Sequence, residues 1–221
     1  MKVQSAEFVT SAAAANGLPR DGLPQVALVG RSNVGKSSVI NRLAGKTVAR
    51  TSAAPGKTRL INLYRIDLGS FAPVGPFYLV DLPGYGYARG GEPAQAGFAT
   101  LMREYFDLAG AKATADPKGP SGPSVAILLV DARHPGLPQD VAAWTWIQQL
   151  GLPGVIVASK VDKLSRGERT RALTQWTNSL KMPVLPTSAA TGEGLEDLWT
   201  TIANLLPPRK KKSGTKAATP P

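Results

Sequence analysis

The sequence predicts a three-layer α/β fold in which a mainly parallel, six-stranded sheet is flanked by helices. Six short apolar runs alternate with segments of helical spacing, and several runs are apolar throughout and rich in β-branched residues. Continuous apolar runs are typical of strands buried on both faces. In chain order the predicted strands are QVALVG (25–30), LINLYRIDL (60–68), FYLVD (77–81), VAILLVDA (125–132), GVIVAS (154–159) and PVLPTS (183–188).

Five segments between and after these strands carry the spacing of amphipathic helices. They are GKSSVINRLAG (35–45), GFATLMREYFDLAG (97–110), PQDVAAWTWIQQLG (138–151), RGERTRALTQWTNSL (166–180) and GEGLEDLWTTIANLL (192–206). Alternation of strands and helices indicates crossover units that join parallel strands. Two stretches rich in glycine or proline, 69–76 and 111–123, are predicted to be loops.

The length of 221 residues suits one domain with a sizeable core. We place this domain at residues 25–206. Residues 1–24 are an extension that we expect to pack on the domain or to be partly flexible. Residues 207–221 hold five basic residues and no acidic one, which predicts a basic, disordered tail.

The composition limits the class of protein. Cysteine is absent, which excludes a disulfide framework and a thiolate metal site and fits a cytoplasmic protein. No run approaches the roughly 18 apolar residues of a membrane span. The net charge is +11, and it stays at +6 without the five positive charges of the tail. A basic body favours a polyanionic partner, nucleic acid before anionic lipid, and the alternative is a solvated surface with a solubilising tail.

The segment GRSNVGKS, residues 30–37, matches the phosphate-binding pattern G-x-x-x-x-G-K-[ST]. It follows a predicted strand and opens a predicted helix, which is the context that this pattern requires. Gly30 and Gly35 let the backbone wrap so that its N–H groups point at phosphate oxygens, and the helix N-terminus adds positive partial charge. We expect Lys36 to reach the β- and γ-phosphates and the Ser37 hydroxyl to ligate Mg²⁺.

The segment DLPG, residues 81–84, directly follows the strand FYLV. It therefore lies at the carboxyl end of a strand, where ligands bind in open α/β sheets. We expect Asp81 to hold Mg²⁺ through water and the Gly84 N–H to bond the γ-phosphate. Loss of that phosphate would release the segment, as in switch loops.

A second hydroxyl ligand for Mg²⁺ is expected from the segment TSAAPGKTRLINLY, residues 51–64. Thr58 is the candidate because it lies just before a predicted strand, at the end of a loop. Thr51 and Thr47 are alternatives, and an ordinary turn into a strand is a further one.

The segment SKVDKL, residues 159–164, ends a predicted strand and predicts recognition of guanine. Guanine presents N1–H and a 2-amino group side by side, and Asp162 can accept both in charge-assisted bonds. Adenine would leave this carboxylate unpaired. Lys160 is expected to lay its aliphatic stem over the base, and Ser159 to secure neighbouring loops.

The segments GRSNVGKSSVIN, PGKTRLINLY, DLPGYGYA and SKVDKL together resemble the EngB/YihA family of bacterial GTPases, over residues 25–205. The resemblance implies a Ras-like GTPase domain, a role in assembly of the large ribosomal subunit, and a role in normal cell division and septation. It also implies that residues 56–60 contact the nucleotide as part of switch I, with Thr58 on Mg²⁺. Thr187, Ser188 and Ala189 match the family's last guanine-contacting loop. The family commonly has Thr where this chain has Ser159, a variation that bears on affinity.

Ras-like enzymes position the attacking water with a Gln just after D-x-x-G, and this chain has Tyr85 there. Slow intrinsic turnover is therefore expected, with another group or a partner completing the site. Asn33 lies where related GTPases use Asn to hold K⁺ beside the phosphates, which suggests activation by K⁺; the alternative is a loop Asn that bonds its own backbone. Arg31 and Arg89 are rival sources of positive charge.

The predicted catalytic residues are Lys36, Thr58, Gly84 and Asn33, and the predicted metal ligands are Ser37, Thr58 and, through water, Asp81. The predicted nucleotide contacts are Gly30, Arg31, Ser32, Asn33, Val34, Gly35, Lys36, Ser37, Ser38, Gly56, Lys57, Thr58, Arg59, Leu60, Asp81, Leu82, Pro83, Gly84, Ser159, Lys160, Val161, Asp162, Thr187, Ser188 and Ala189.

These observations predict a monomeric, Mg²⁺-dependent GTPase that binds GTP and GDP and acts as a switch on the large ribosomal subunit or its precursor. The alternative is a nucleotide-gated module that binds RNA or protein with negligible intrinsic turnover, because Tyr85 replaces the expected Gln.

Overall fold

The computed structural model of the chain describes residues 2–50, 60–86, 91–109 and 122–209, and for residues 91–95 the backbone alone. The strands are β1 (Ser5–Ala12), β2 (Gln25–Gly30), β3 (Ile61–Asp67), β4 (Phe77–Asp81), β5 (Val125–Asp131), β6 (Gly154–Ser159) and β7 (Val184–Pro186). The helices are α1 (Lys36–Ala44), α2 (Gly91–Asp107), α3 (Pro138–Gln149), α4 (Arg166–Leu180) and α5 (Leu195–Leu205).

The described strands form one sheet in the order β1-β3-β4-β2-β5-β6-β7. The strands from β4 through β2, β5 and β6 to β7 pair in parallel, whereas β3 is antiparallel to β4 and to β1. The predicted α/β fold class is confirmed, and the six predicted strands are β2 to β7. Helix α2 begins six residues before the predicted start at residue 97.

The sheet has a seventh strand, β1, which the sequence did not predict. It pairs along β3 from Ser5 opposite Asp67 to Ala12 opposite Ile61, with an irregularity between Phe8 and Thr10. Because β1 is an edge strand, most of its residues are exposed and it needs no continuous apolar run. The strand joins residues before 25 to the sheet, and the predicted domain boundaries stay a prediction.

Helices cover both faces of the sheet. One apolar cluster joins α2, α3 and α4 to one face through buried residues such as Tyr105, Trp144 and Trp176. The other cluster joins α1 and α5 to the opposite face through residues such as Ile40 and Trp199. Alternate residues of β2 and β5 belong to the two clusters, so every residue of these central strands is buried.

The layered arrangement brings the carboxyl ends of β2, β4, β5 and β6 to one edge of the sheet. The chain leaves β2 towards β3 and β4 on one side and returns through α2 to β5 on the other, so β2 lies at a topological switch point. Such points form the ligand-binding crevices of open α/β sheets. Among the described helices, none combines the length and apolar character that crossing a membrane requires.

Candidate functional site

The loop between β2 and α1 (residues 30–37, here called the P-loop) has backbone geometry that depends on glycine. At Gly30 a Cβ atom would lie 2.7 Å from the Leu129 carbonyl oxygen, because the loop leaves β2 against the neighbouring strand β5. Gly35 precedes α1 with φ of 111°, a left-handed conformation that L side chains rarely adopt. Asn33 is also left-handed, with φ of 62°. The chain therefore turns tightly from strand into helix N-terminus.

Lys36 is buried at the start of α1, although it carries an ammonium group. Its Nζ donates to the carbonyl oxygens of Gly30 at 2.9 Å and Arg31 at 3.2 Å, so the side chain folds back over its own loop. Burial lowers the pKa of Lys36 from 10.5 to about 8, and the nearby Asp81 carboxylate opposes this shift. The ammonium is thus placed inside the loop.

Asp81 ends β4 beside the first turn of α1. The Ser37 hydroxyl donates to Asp81 Oδ2 at 2.6 Å, whereas Asp81 Oδ1 is buried and has no hydrogen-bond partner. Burial raises the pKa of Asp81, and the Lys36 ammonium and the Ser37 hydroxyl oppose this effect. The described residues contain no group of three or more His, Cys, Asp and Glu side chains that could hold a metal. A cation here would rely on Asp81, hydroxyl groups and bound phosphates.

The residues after Asp81 pack directly against the P-loop. The Ser32 N–H donates to the Tyr85 carbonyl oxygen at 3.1 Å, and the Ser32 hydroxyl donates to the Gly84 carbonyl oxygen at 3.3 Å. A Cβ atom on Gly84 would lie 2.6 Å from the Ser32 nitrogen, so only glycine fits. Gly84 therefore lies beside the loop in which phosphate binding was predicted.

Tyr85 and Arg31 converge on Asp140, in the first turn of α3. The Tyr85 hydroxyl donates to Asp140 Oδ1 at 2.6 Å, and Arg31 Nε donates to Asp140 Oδ2 at 3.3 Å. Asp140 is fully buried, which raises the pKa of its carboxyl group against the opposing effects of Tyr85 and Arg31.

Ser159, at the end of β6, supports the P-loop. Its buried hydroxyl lies 2.7 Å from the Val34 carbonyl oxygen and 3.1 Å from that of Val130. One hydroxyl proton can serve one of these acceptors at a time, and the Val34 oxygen is nearer. These contacts place the Ser159 hydroxyl between the P-loop and β5, as expected of a residue that secures neighbouring loops.

Lys160 adopts a left-handed conformation, with φ of 62°. Its Nζ donates to the Asn33 carbonyl oxygen at 2.5 Å and to Asp131 Oδ2 at 3.0 Å. Arg133 donates to both carboxylate oxygens of Asp131, at 2.9 and 2.7 Å. The pKa of Asp131 is held below its ordinary value because the hydrogen bonds from Arg133 and Lys160 outweigh burial.

Asp162 meets the loop after β7. Its Oδ1 accepts a 2.6 Å hydrogen bond from the Ser188 hydroxyl, and this bond is the main cause that lowers the pKa of Asp162. The loop is held in turn by the Thr187 N–H, which donates to the Ala158 carbonyl oxygen at 2.8 Å. Gly194 closes it in a left-handed conformation, where a Cβ would overlap the Pro186 carbonyl.

The structure thus brings together the P-loop, Asp81 to Gly84, Ser159 to Asp162, and Thr187 to Ala189. Gly56, Lys57, Thr58 and Arg59 lie outside the described residues, as do Thr51 and Arg89. Leu60 and Thr47 are described and exposed.

Comparisons with known proteins bear on this arrangement. The model of the family described as 50S ribosome-binding GTPase matches residues 25–160, and that of the elongation factor Tu GTP-binding domain matches residues 118–208. A probable GTP-binding protein EngB from Pelotomaculum thermopropionicum is 41% identical over 203 residues, which cover 90% of this chain and 93% of that protein. The EngB protein of Heliobacterium modesticaldum is 40% identical, with 90% of each chain covered.

The chain belongs to the EngB family. It is a P-loop GTPase of that family, and the predicted family resemblance is confirmed.

Solved structures share the fold of this EngB-family chain. A single-site variant of Era from Aquifex aeolicus, bound to GDP·AlF₄⁻, has a TM-score of 0.66 and 24% identity, with 84% of this chain and 57% of that one covered. A probable GTP-binding protein EngB has a TM-score of 0.58 and 22% identity, with 82% and 97% covered. These likenesses concern the Ras-like architecture.

Two acidic residues of the site, Asp131 and Asp140, were missed from the sequence. The sequence could have indicated Asp131, because it ends a continuous apolar strand just as Asp81 does. Asp140 had none, because its partners are 55 and 109 residues away in the chain.

The Ser159 hydroxyl can be tested by Ser159→Ala. The change leaves buried carbonyl oxygens of the P-loop and β5 without this donor, so the free energy of unfolding should fall by about 1–3 kcal/mol, as measured by urea denaturation of nucleotide-free protein. Ser179→Ala is the matched control, because the Ser179 hydroxyl donates to the Gln175 carbonyl oxygen on the surface of α4. It should change the free energy of unfolding by less than about 0.5 kcal/mol. Equal effects of the two variants would contradict the supporting role of Ser159.

Proposed function

We propose that this GTPase uses Mg²⁺ and GTP as a switch in assembly of the large ribosomal subunit. The observation that carries the proposal is the meeting of P-loop, Asp81 and Asp162 at one edge of the sheet, which provides separate places for phosphates, cation and base. Support for the partner comes from the family description, 50S ribosome-binding GTPase, and from the net charge of +11. A related fold, Era, has been solved with nucleotides 1506–1542 of 16S ribosomal RNA.

We propose that the nucleotide phosphates lie against the backbone N–H groups of the P-loop and the N-terminus of α1. Phosphate oxygens would replace the two loop carbonyl groups as acceptors for Lys36 Nζ. A carbonyl oxygen carries a partial negative charge, whereas a phosphate carries a full one. The exchange would therefore raise the pKa of Lys36 and favour its protonated, ammonium form.

The residues fit Mg²⁺. Ser37 Oγ and the two oxygens of Asp81 are hard ligands, and the buried Oδ1 of Asp81 has no other hydrogen-bond partner. Ser37 would hold the ion directly, Asp81 through water, and Thr58 would complete the protein ligands. When bound, the ion neutralises negative charge on the phosphates.

Asp162 is proposed to accept the N1–H and 2-amino groups of guanine. The Ser188 hydroxyl already donates to this carboxylate and orients it, and the lowered pKa keeps it ionised. The stem of Lys160 would cover the base. The Ala189 N–H would meet the base O6, since the Thr187 and Ser188 N–H groups donate to the carbonyl oxygens of Ala158 and Glu193. Ser159 acts on the base indirectly, through Val34 of the P-loop.

Hydrolysis should be slow without a partner. The Tyr85 hydroxyl, at the position where a Gln would hold water, donates to Asp140, and Arg31 is paired with the same carboxylate. The Tyr85 hydroxyl is therefore engaged away from the position of an attacking water, and Arg31 Nε is engaged by the same carboxylate. We propose K⁺ near Asn33 as the compensating charge, with the large ribosomal subunit as the stimulating partner. The second candidate is a nucleotide-gated binding module with negligible intrinsic turnover. The same observation supports it, because Tyr85 stands in place of the expected Gln and its hydroxyl donates to Asp140.

On the family resemblance we further propose a role in cell division and septation, and action as a monomer in the cytoplasm. The basic residues of 207–221 are proposed to contact ribosomal RNA phosphates.

The affinity for GDP should fall as pH rises above about 8. Lys36 has a pKa of about 8 in the free protein, and a bound phosphate keeps it protonated, so binding takes up a proton above that pH. The dissociation constant should therefore rise by about fivefold between pH 8 and 9, as measured by calorimetry. Lys36→Arg stays protonated throughout and should show a flat profile. The same slope in this control would mean that another group titrates.

Turnover tests the proposed function directly. Steady-state phosphate release would be measured in KCl and in NaCl, with and without purified large ribosomal subunits. We expect slow release alone, an increase of at least about tenfold with large subunits, and faster release in KCl. Small subunits control for general RNA effects, and Lys36→Ala controls for contaminating activity.

Equal rates in the two salts would contradict the K⁺ proposal. Nucleotide binding with release no faster than that of Lys36→Ala, even with large subunits, would favour the binding module. A chain shortened to residues 1–206 that associates with large subunits as the full chain does would contradict the tail contact.

A further inference from the structure

The Tyr85 side chain makes a specific contact with helix α3. Its hydroxyl donates to Asp140 Oδ1 at 2.6 Å, a distance typical of a strong O–H···O⁻ bond. Asp140 has no exposed surface, although it lies in the first turn of a helix that begins at Pro138. Burial of a carboxylate costs desolvation free energy unless its oxygens accept hydrogen bonds. The bond from Tyr85 offsets part of this cost for Asp140.

The second oxygen of Asp140 accepts a bond from Arg31 Nε at 3.3 Å. Arg31 belongs to the P-loop, and Tyr85 follows D-x-x-G. One carboxylate on α3 therefore holds side chains from both phosphate-facing segments, and loss of either partner would leave part of a buried charge uncompensated.

The backbone of the same two segments is also joined. Tyr85 pairs with Arg31 in a short parallel bridge, and Ser32 donates its N–H and its hydroxyl to the carbonyl oxygens of Tyr85 and Gly84. Gly86 follows in a left-handed conformation, where a Cβ atom would lie 2.6 Å from Gln139 Oε1. Residues 84–86 are thus held between the P-loop and the start of α3.

The contacts that Gly84 and Tyr85 make with Ser32 of the P-loop run through their carbonyl oxygens. Two carbonyl oxygens, those of Gly84 and Tyr85, face Ser32 of the P-loop, and carbonyl oxygens repel a phosphate anion. A γ-phosphate beside Gly84 requires N–H donors in that place. GDP carries no phosphate there and would be accommodated by the closed arrangement, in which residues 84–86 lie against the P-loop.

We propose that Asp140 is a specificity-determining residue that favours GDP over GTP. With Tyr85 and Arg31 it forms a latch that holds residues 84–86 on the P-loop, and GTP binding has to open this latch. The inference rests on the proposed guanine-nucleotide site and adds to it a group that sets the balance between its two nucleotides. A ligand shifts such an equilibrium by its difference in affinity for the closed and open forms, so weakening the latch improves binding of GTP alone.

Tyr85→Phe tests the latch by removing one hydroxyl group. The dissociation constants of GDP and of a non-hydrolysable GTP analogue would be measured with Mg²⁺ by competition with a fluorescent guanine nucleotide. The ratio of the analogue's constant to that of GDP should fall by about tenfold, the value expected for loss of one hydrogen bond to a charged group. GDP affinity should stay within about threefold of that of the unmodified chain, because GDP is compatible with the closed form.

Asp140→Asn provides a second variant of similar shape without the charge, and its ratio should shift in the same direction. Tyr78→Phe is the matched control, since the Tyr78 hydroxyl donates to Asp21 Oδ2 at the same distance of 2.6 Å, away from the P-loop. Its ratio should not change.

A ratio in Tyr85→Phe that stays within about twofold of the unmodified chain, or that moves towards GDP, overturns the latch while leaving the guanine-nucleotide site intact. If Asp140→Asn does not fold, Tyr85→Phe decides alone. Failure of the unmodified chain to bind either guanine nucleotide would instead overturn the proposed function.

Discussion

The hydrogen bonds that fix the P-loop backbone are the constraint on which the rest of the site depends. Four carbonyl oxygens of this loop are used: Lys36 takes those of Gly30 and Arg31, Lys160 takes that of Asn33, and Ser159 takes that of Val34. Because donors from α1 and from the end of β6 occupy its carbonyls, the loop is held in a conformation that requires glycine at positions 30 and 35. The P-loop and the segment from Ser159 to Asp162 are therefore positioned by each other.

The fold makes this possible by burying its central strands completely. Strands β2 and β5 expose no residue to water on either face, so their register is fixed by packing on both sides. Their carboxyl ends then deliver Gly30 and Asp131 to the same edge, next to Asp81 from β4 and Ser159 from β6. Charged and hydroxyl groups cluster where the apolar strands stop, and burial there changes the pKa of Lys36, Asp81 and Asp140.

Most of the fold could be predicted because its strands are continuous apolar runs and its phosphate motif has fixed spacing. Strand β1 could not, since an edge strand with residues such as Glu7 and Thr10 lacks both a continuous run and a clean alternation. In the site, the residues of short linear motifs were predictable. The partners that orient them, such as Ser188 on Asp162 and Asp140 on Tyr85, depend on contacts between distant segments, which a single sequence does not encode locally.

Base recognition by Asp162 is the most direct test of the account. Nucleotide-free protein would be titrated calorimetrically with GDP, a non-hydrolysable GTP analogue, ADP and XDP, and the series repeated on Asp162→Asn. We expect the unmodified chain to bind only guanine nucleotides and Asp162→Asn to gain XDP, because the 2-oxo group of xanthine accepts from an amide donor. Equal binding of ADP and GDP by the unmodified chain would contradict the account, since Asp162 and Ser188 would then have no role in reading the base.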